Sequence, residues 1–170
     1  HDKIGDILDF ADMETGQNRL EIGPVDIAAV SRSVIAETAG RAFLRRIRLT
    51  VALPDSAMAM ADAHAVKRIL ANLLTNALQY TQDNGAVRVQ LRQENETLIV
   101  SVRDNGLGFS PVELDKAGEP FQRFDRSGAT TGNGLGLAIC SALAQRMHGT
   151  VFIRSRQNEG TIAELRLPRG

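Results

Sequence analysis

The segment from Ala63 to Tyr80 constrains the fold more than any other part of the chain, because apolar residues occupy most of its faces at helical spacing. This pattern predicts a helix buried in a protein core. The apolar positions are Val66, Ile69, Leu70, Leu73, Leu74 and Ala77. Arg68, Asn72, Asn76 and Tyr80 recur every four residues and therefore share one face. Amide side chains on a buried helix need partners, so this polar stripe is a candidate ligand-binding surface.

The rest of the chain alternates between helical and strand patterns. Helices are predicted at 3–15, from Asp26 as N-cap to about Arg46 with Phe43 in the apolar stripe, and at about 134–147. Strands are predicted at 19–22 and 48–53, and as two β-hairpins, 86–92 with 97–103 and 150–154 with 161–167. The long stretch 104–132 is predicted to be a functional loop. This order predicts an α+β fold, a two-layer sandwich with a mostly antiparallel sheet covered on one face by helices.

Composition excludes several classes of protein. Lys plus Arg and Asp plus Glu are 20 each in 170 residues, so we expect no nucleic-acid partner held by bulk charge. The single cysteine, Cys140, excludes an internal disulfide and is predicted to be a small core residue in a reducing compartment. There is no run of about 18 apolar residues and no secretion signal. We therefore expect a cytoplasmic segment without direct membrane contact, although the parent protein could be membrane-anchored.

A first glycine loop directly follows a predicted strand and reads Asp104-Asn105-Gly106-Leu107-Gly108-Phe109. Glycines permit unusual backbone dihedral angles and a close approach of the backbone to a ligand. The Asp104 carboxylate can accept a hydrogen bond from an exocyclic amine such as that of adenine. Asp-Asn-Gly is also ordinary turn chemistry, so this loop alone leaves both interpretations open.

A second glycine loop, Gly132-Asn133-Gly134-Leu135-Gly136-Leu137, opens a predicted helix. Backbone N–H groups at such a helix start form a nest for an anion such as phosphate. The dinucleotide-binding interpretation fails, because a loop precedes this motif and antiparallel strands follow it. A P-loop is excluded because no Gly-Lys-Ser/Thr sequence is present.

Five motifs in this order resemble those of the GHKL superfamily of ATPases and kinases, and within it the sensor histidine kinases. Leu70–Ala77 resembles the N box, Asp104–Phe109 the first glycine box, and Phe121–Phe124 the F box. Gly132–Ile139 resembles the second glycine box and Glu159–Thr161 the third. The match covers nearly the whole chain from about residue 20 onward.

The resemblance implies a Bergerat fold that binds ATP or ADP with Mg²⁺. It implies that Asn76 holds Mg²⁺, that Asp104 bonds the adenine amine and that Tyr80 lines the base pocket. It further implies a lid around 121–132, with Arg123 and Arg126 near the phosphates. The remaining nucleotide-binding residues that it implies are Asn72, Gly106, Gly108, Phe109, Gly132, Gly134, Leu135, Gly136, Leu137 and Thr161.

The opening segment resembles the junction between the dimerisation helix and the catalytic domain of a histidine kinase. The resemblance implies that 1–18 is the end of a dimerisation helix and that 19–170 is the ATP-binding catalytic domain. It implies transfer of the γ-phosphoryl group to a histidine on a dimerisation domain, in two-component signal transduction. The implied partners are that phosphoacceptor domain, a response regulator indirectly, and a second copy of the parent kinase.

Two positions bear on rival functions. GHKL hydrolases carry Glu four residues before the metal-binding Asn, where this chain has Asn72; without a carboxylate there, a water nucleophile lacks its general base. The same difference disfavours an anti-sigma-factor serine kinase. Gln79 stands where the family often has Lys, and the segment between Phe124 and Gly132 is short. A degenerate ATP- or ADP-binding signalling module without kinase activity is therefore the alternative.

The three histidines are His1, His64 and His148. The residues after His1 lack the family's phosphoacceptor pattern, and His64 and His148 lie at predicted helix ends, where packing or helix-end charge explains them. We expect the acceptor histidine to lie outside residues 1–170. The scattered positions also give no zinc-ligand spacing.

Overall fold

The computed structural model describes residues 3–17, 19–116 and 136–170. The helices are α1 (Lys3–Glu14), α2 (Ile27–Leu44), α3 (Ala63–Tyr80), α4 (Pro111–Lys116) and α5 (Gly136–Arg146). The strands are β1 (Gly23–Asp26), β2 (Arg48–Ala52), β3 (Met58–Ala61), β4 (Ala86–Glu94), β5 (Thr97–Asp104), β6 (Thr150–Arg156) and β7 (Gly160–Pro168).

The main sheet has the strand order β2-β4-β5-β7-β6. Only the β2–β4 pair of this described sheet is parallel; β4–β5, β5–β7 and β6–β7 are antiparallel. Both predicted hairpins are therefore present. Strands β1 and β3 form a separate antiparallel ribbon.

Helices α2, α3 and α5 pack on the sheet and enclose one hydrophobic core. The strands alternate as expected for a half-buried sheet: Val87, Val89 and Leu91 of β4 face the core, whereas Arg88 between them is exposed. The predicted α+β two-layer sandwich is confirmed.

Side-chain caps fix where the two central helices begin. The Asp26 carboxylate accepts from the backbone N–H groups of Ala28 and Ala29, as the predicted N-cap of α2 should. The Asp62 carboxylate accepts from Ala65 N–H at 2.8 Å and from Glu21 N–H at 2.7 Å. Asp62 therefore caps α3 and also ties the chain before β1 to the start of that helix.

Two local predictions were wrong, and one strand was missed. The strand predicted at 19–22 lies instead at Gly23–Asp26, where Pro24 is tolerated because β1 has only one neighbouring strand. Strand β3 was not predicted, because its four residues pair with β1, far away in the sequence. Phe43 was assigned to the apolar stripe of α2, but its side chain is 82% exposed.

Helix α4 was not predicted within the long loop. Its start carries a capping box, in which Ser110 N–H donates to the Glu113 carboxylate and Glu113 N–H donates to the Ser110 hydroxyl. The helix is only six residues long, so its apolar period is too short to recognise.

Helix α1 docks on the rest of the domain through Arg68 of α3. The Arg68 guanidinium binds the Asp6 carboxylate at 2.8 Å and also contacts that of Asp9. Phe10 and Met13 pack against the core. The predicted polar stripe of α3 thus begins with a residue that holds a neighbouring helix.

Within 3–17, 19–116 and 136–170, no helix is both long enough and apolar enough to cross a bilayer.

Candidate functional site

The polar stripe of α3 divides into two halves with different surroundings. Asn76 and Tyr80 face a cavity between α3 and the sheet. The Arg68 guanidinium forms ion pairs with Asp6 and Asp9 of α1. Asn72 lies between them, against the start of α5: its amide oxygen is 3.7 Å from the position that a Cβ on Gly136 would take.

The cavity contains about 450 Å³ of space, part of it open to solvent. The sequence predicted seven of its lining residues, namely Asn76, Tyr80, Asp104, Gly108, Phe109, Leu137 and Thr161. It missed the apolar walls, which are Leu73, Ala77, Val102, Ile153 and Ala163. Of the predicted residues that the structure describes, Asn72, Gly106 and Gly136 do not line this cavity.

The missed apolar wall follows from strand register. Val102 lies opposite Ala163 on β7, and Ala163 lies opposite Ile153 on β6. These three residues form one row on the helix-covered face of the sheet. Val102 is two residues before Asp104, so alternation places both side chains on the same face. That spacing was the available signal in the sequence.

Asp104 ends β5 at the cavity, with only 8% of the residue exposed. Burial raises the pKa of its carboxyl group to about 6, although hydrogen bonds from the backbone N–H groups of Gly106 and Thr161 act in the opposite direction. The Gly106 N–H donates to the carboxylate at 2.9 Å. The described residues supply no ion pair to this carboxylate, so its remaining acceptor capacity faces the cavity.

Glycines shape the backbone around Asp104, because adjacent chain segments leave no room for a Cβ. A Cβ on Gly106 would lie 2.3 Å from the carbonyl oxygen of Tyr80, and one on Gly108 would lie 1.9 Å from that of Arg156. Gly108 also has φ +64°, which favours glycine. Gly106 therefore has a packing role beside the cavity, whereas Gly108 lines it.

A third glycine, Gly160, holds the same corner from the other side. Its φ is +118°, and a Cβ there would lie 2.0 Å from the carbonyl oxygen of Asp104. The predicted third glycine box thus packs directly on the first one. Together these close approaches fix the position of the Asp104 carboxylate.

A hydroxyl pair connects Thr161 to the first glycine loop. The Ser155 hydroxyl lies 2.7 Å from the Thr161 hydroxyl and accepts a hydrogen bond from Phe109 N–H at 2.7 Å. The ring of Phe109 meets Tyr80 edge to face, with centroids 6.2 Å apart. Sequence reasoning missed Ser155, which lies opposite Thr161 in the β6–β7 hairpin.

Cys140 lies below Asn72, fully buried in α5. Burial raises the pKa of its thiol to about 12, against a hydrogen bond with Asn72 and the charge of Arg68, which act to lower it. The prediction of a small core residue is confirmed.

The predicted lid and the first half of the second glycine box fall outside the described residues. These are the F box Phe121–Phe124, with Arg123, together with Arg126, Gly132, Gly134 and Leu135. Of the second glycine box, Gly136 begins α5 and Leu137 lines the cavity.

The geometry defines what kind of ligand the cavity can accept. Its walls are largely apolar and include two aromatic rings, and a single carboxylate lies at the end of β5. This arrangement suits a flat heterocycle that carries an N–H donor. No group of three or more His, Cys, Asp or Glu side chains in the described part of the chain could hold a metal ion. A metal at Asn76 would therefore need oxygens from its ligand and from water.

Comparisons with known proteins agree with this chemistry. Residues 61–170 match the family model described as histidine kinase-, DNA gyrase B-, and HSP90-like ATPase. Sensor protein TorS of Escherichia coli is 34% identical over 169 residues, which cover 97% of this chain and 18% of TorS. Histidine protein kinase DivJ of Caulobacter vibrioides is 34% identical, covering 98% of this chain and 28% of DivJ.

A solved structure of full-length ShkA in complex with AMPPNP has a similar fold, with a TM-score of 0.84 and 29% sequence identity. The similarity covers 97% of this chain and 35% of ShkA. The chain thus spans a third or less of the length of TorS and DivJ. The family match over most of the chain, the sheet topology and the cavity agree: the chain belongs to the histidine kinase-, DNA gyrase B- and HSP90-like ATPase family, as the ATP-binding domain of a sensor histidine kinase.

Proposed function

We propose that this domain binds ATP with Mg²⁺ and donates the γ-phosphoryl group to a histidine on a dimerisation domain, in two-component signal transduction. The observation that carries the proposal is Asp104, a buried carboxylate at the end of an apolar cavity, to which no described residue supplies a cation. A ligand amine would supply the missing donor. Adenine combines such an amine with a flat apolar ring.

Each cavity wall has a part in holding the base. The Asp104 carboxylate accepts from the exocyclic amine, and Thr161 lies directly opposite Asp104 in the β5–β7 register. Val102, Ile153 and Ala163 provide an apolar floor. Phe109 and Tyr80 close one side of the pocket.

The amide oxygen of Asn76 suits Mg²⁺, which takes oxygen ligands and keeps several waters. Mg²⁺ would supply charge neutralisation at the transferred phosphoryl group. Asn76 is the only predicted metal-ligating residue, and the described residues offer no carboxylate cluster beside it. This donor set fits an ion that takes most of its ligands from nucleotide phosphates and water.

The phosphate end of the nucleotide would lie toward the start of α5. Free backbone N–H groups and the helix dipole favour an anion at a helix N-terminus. Gly136 begins this helix after the glycines at 132 and 134. Arg123 and Arg126 are proposed to approach the phosphates from the lid.

Asn72 favours phosphoryl transfer to a side chain over hydrolysis. It stands where a hydrolase of this family would have a general base, and a neutral amide cannot take a proton from water. In the structure Asn72 is close to Gly136 and Cys140. The site therefore supports positioning and charge stabilisation as the means of catalysis.

The domain division and partners are part of the same proposal. Residues 1–18 are proposed to end a dimerisation helix, and 19–170 to form the catalytic domain; α1 ends at Glu14 and Gly16 follows with φ +70°. The proposed partners are the phosphoacceptor domain of the parent kinase, a second copy of that parent and, indirectly, a response regulator. We propose that the domain works in the cytoplasm.

Nucleotide binding is tested by titration calorimetry with ATP, ADP and GTP in the presence of Mg²⁺. We expect heat with ATP and ADP at micromolar to millimolar dissociation constants and much weaker binding of GTP, whose base lacks the exocyclic amine at this position. Absence of heat with every nucleotide would contradict the proposal.

Phosphoryl transfer is tested with γ-labelled ATP and the separately expressed dimerisation domain of the parent. We expect acid-labile label on that domain and none on this chain alone. Nucleotide binding without transfer would instead support the alternative that Gln79 and the short lid motivate, a binding-only signalling module.

A further inference from the structure

Two large apolar side chains at the end of α2 lie almost entirely in solvent. Phe43 is 82% exposed and Leu44 80%, whereas Ala42 and Ile47 on either side of them are buried. Single exposed apolar residues are ordinary, but two consecutive ones of this size at the end of α2 make a larger exposed apolar patch. Such a patch indicates a surface that another molecule covers.

Arginines without acidic partners adjoin this patch. Arg46 and Arg48 follow it in the chain, and both are exposed. The parallel register places Thr50 of β2 opposite Arg88, and the antiparallel register places Arg88 opposite Arg103. Neighbouring strands are about 4.8 Å apart. The basic surface therefore runs from the end of α2 across three strands.

The charge pattern of this surface is unfavourable in the isolated domain. Like charges directly opposite each other on adjacent strands repel, as Arg88 and Arg103 must. Arg46, Arg48, Arg88 and Arg103 form no ion pair with any carboxylate in the described part of the chain. The chain as a whole is neutral, so this local excess does not follow from composition.

Two arginines further along the same sheet face form ion pairs. Arg92 and Arg166 both bind the buried carboxylate of Glu164, at 3.1 Å and 2.7 Å. The sheet face can therefore neutralise arginines internally. The arginines around Glu164 are neutralised in this way, whereas Arg88 and Arg103 are not neutralised by any described residue.

We propose that Phe43, Leu44, Arg46, Arg48, Arg88 and Arg103, here called the Phe43 surface, dock a partner protein that presents a helix with an apolar face flanked by carboxylates. Aromatic residues, phenylalanine among them, and arginine are enriched at protein interfaces. All four cations are arginine, whose planar guanidinium binds carboxylates in a two-pronged geometry. An anionic lipid surface attracts lysine as well as arginine, because it acts on charge.

The Phe43 surface is separate from the nucleotide cavity, which none of its six residues lines. The partner and a nucleotide can therefore be bound at the same time. This inference does not rest on the proposed kinase activity.

The test uses a fluorescein-labelled helical peptide that carries leucines on one face and glutamates on both flanks. Its affinity for the whole 170-residue chain is measured by fluorescence anisotropy at several salt concentrations. We expect the double variants Phe43→Ser/Leu44→Ser and Arg88→Glu/Arg103→Glu each to weaken binding by about tenfold or more. Only the second should also lose the salt dependence of binding.

Two matched variants serve as controls. Val112→Ser removes another exposed apolar side chain, which is 66% exposed, and Arg154→Glu reverses a charge on the same sheet face two strands beyond Arg103. Both should keep the affinity of the unmodified chain. Thermal melts of all four variants check that the exposed substitutions leave the fold intact.

Other outcomes would overturn the proposal. Equal binding of a peptide with glutamine in place of glutamate would show that the partner need not be acidic. Equal loss of affinity in the control variants would show that binding does not depend on the Phe43 surface. Sedimentation with anionic phospholipid vesicles, lost in both double variants without any peptide binding, would assign the surface to a membrane. Self-association abolished by Phe43→Ser/Leu44→Ser, again without peptide binding, would assign it to a second copy of this chain.

Discussion

Asp104 and Glu164 are equally buried carboxylates on neighbouring strands, yet their surroundings are opposite. They lie on β5 and β7, with 8% and 6% of each residue exposed. Asp104 faces the cavity beneath the helices, and Glu164 lies on the other face of the sheet. Burial raises the pKa of Asp104 to about 6. Burial acts in the same direction on Glu164, but hydrogen bonds from Arg166 and Arg92 bring its pKa below the ordinary value.

The difference separates a carboxylate whose charge is neutralised within the sheet from one that we propose binds a ligand. Glu164 has two guanidinium partners and adds its charge to a completed network. Among the described residues, Asp104 receives hydrogen bonds from the backbone N–H groups of Gly106 and Thr161 only, and it keeps an open side toward the cavity. A buried carboxylate without a cation costs stability, and the structure retains it at the place where adenine would supply a donor.

The largest expected effect comes from disturbing the backbone that positions Asp104. Gly160→Ala would place a Cβ 2.0 Å from the Asp104 carbonyl oxygen at a residue with φ +118°. We expect a loss of about 3 kcal/mol in the free energy of unfolding, together with loss of nucleotide binding. Urea unfolding and calorimetry measure the two effects.

The matched control is Gly40→Ala, at a helical glycine with nothing within 4 Å of the added Cβ. It should be neutral or stabilising by less than about 1 kcal/mol. A Gly160→Ala variant as stable as the unmodified chain would show that the third glycine box does not hold Asp104 in place.

Removing the charge of Asp104 is expected to affect ligand binding rather than folding. Asp104→Asn should weaken adenine nucleotides by about 1.5–3 kcal/mol, or roughly tenfold to a hundredfold, because it loses a charge-assisted hydrogen bond. Calorimetry with ADP measures the change. Glu164→Gln is the control and should leave the ADP affinity unchanged. Equal affinities of the Asp104→Asn and unmodified chains would mean that Asp104 only stabilises the turn and does not bind the nucleotide.

The converse experiment measures stability. Glu164→Gln should lower the free energy of unfolding by about 1–2 kcal/mol, because Arg92 and Arg166 lose their shared partner while both remain partly exposed. Asp104→Asn should keep or raise stability at neutral pH, because it removes a buried unpaired charge. Denaturant unfolding of the two variants compares them directly, and the contrast between the two carboxylates fails if both lower stability equally.

The smallest expected effect is the pH dependence of binding. With a pKa of about 6, Asp104 is mostly ionised at about pH 7.5 and mostly protonated at about pH 5, so adenosine affinity should fall by up to roughly tenfold between them. Adenosine is the suitable probe because it has no phosphate to titrate. A flat profile would mean that the ionised carboxylate is not the acceptor.

The two carboxylates should also give stability opposite signs of pH dependence. A raised pKa makes the stabilising contribution of Asp104 fully present below its ordinary value of 3.8 and lost as the pH rises through about 6. A lowered pKa makes that of Glu164 present above its ordinary value of 4.5 and lost as the pH falls through the folded-state value. Unfolding curves of Asp104→Asn and Glu164→Gln across this range separate the two.

Local chemistry allowed much of the fold to be predicted from the sequence. The cap Asp26, the apolar period of α3 and both hairpins each follow from residues close together in the chain. Strand β3 could not be found in this way, because only its pairing with β1 makes it a strand. Pro24 and Asp26 also lie in β1, but both residues are typical of the start of a helix, so the strand that contains them was not recognised.

The candidate site was predicted more fully in its polar residues than in its walls. Asn76, Tyr80 and Asp104 stand out in the sequence because polar groups are unusual at such positions. Val102, Ile153 and Ala163 look like any core residues, and only the register of three strands brings them to the cavity. The raised pKa of Asp104 likewise depends on burial by elements far from it in sequence.

The burial of Cys140 gives the domain an internal reporter of its own opening. The only thiol of the chain lies beneath Asn72, between α3 and α5, and is protonated and inaccessible in the closed structure. It can react with an alkylating reagent only when α5 separates from α3. The labelling rate therefore measures how often that separation occurs, and its slowing by a nucleotide would report how strongly the ligand holds the two helices together.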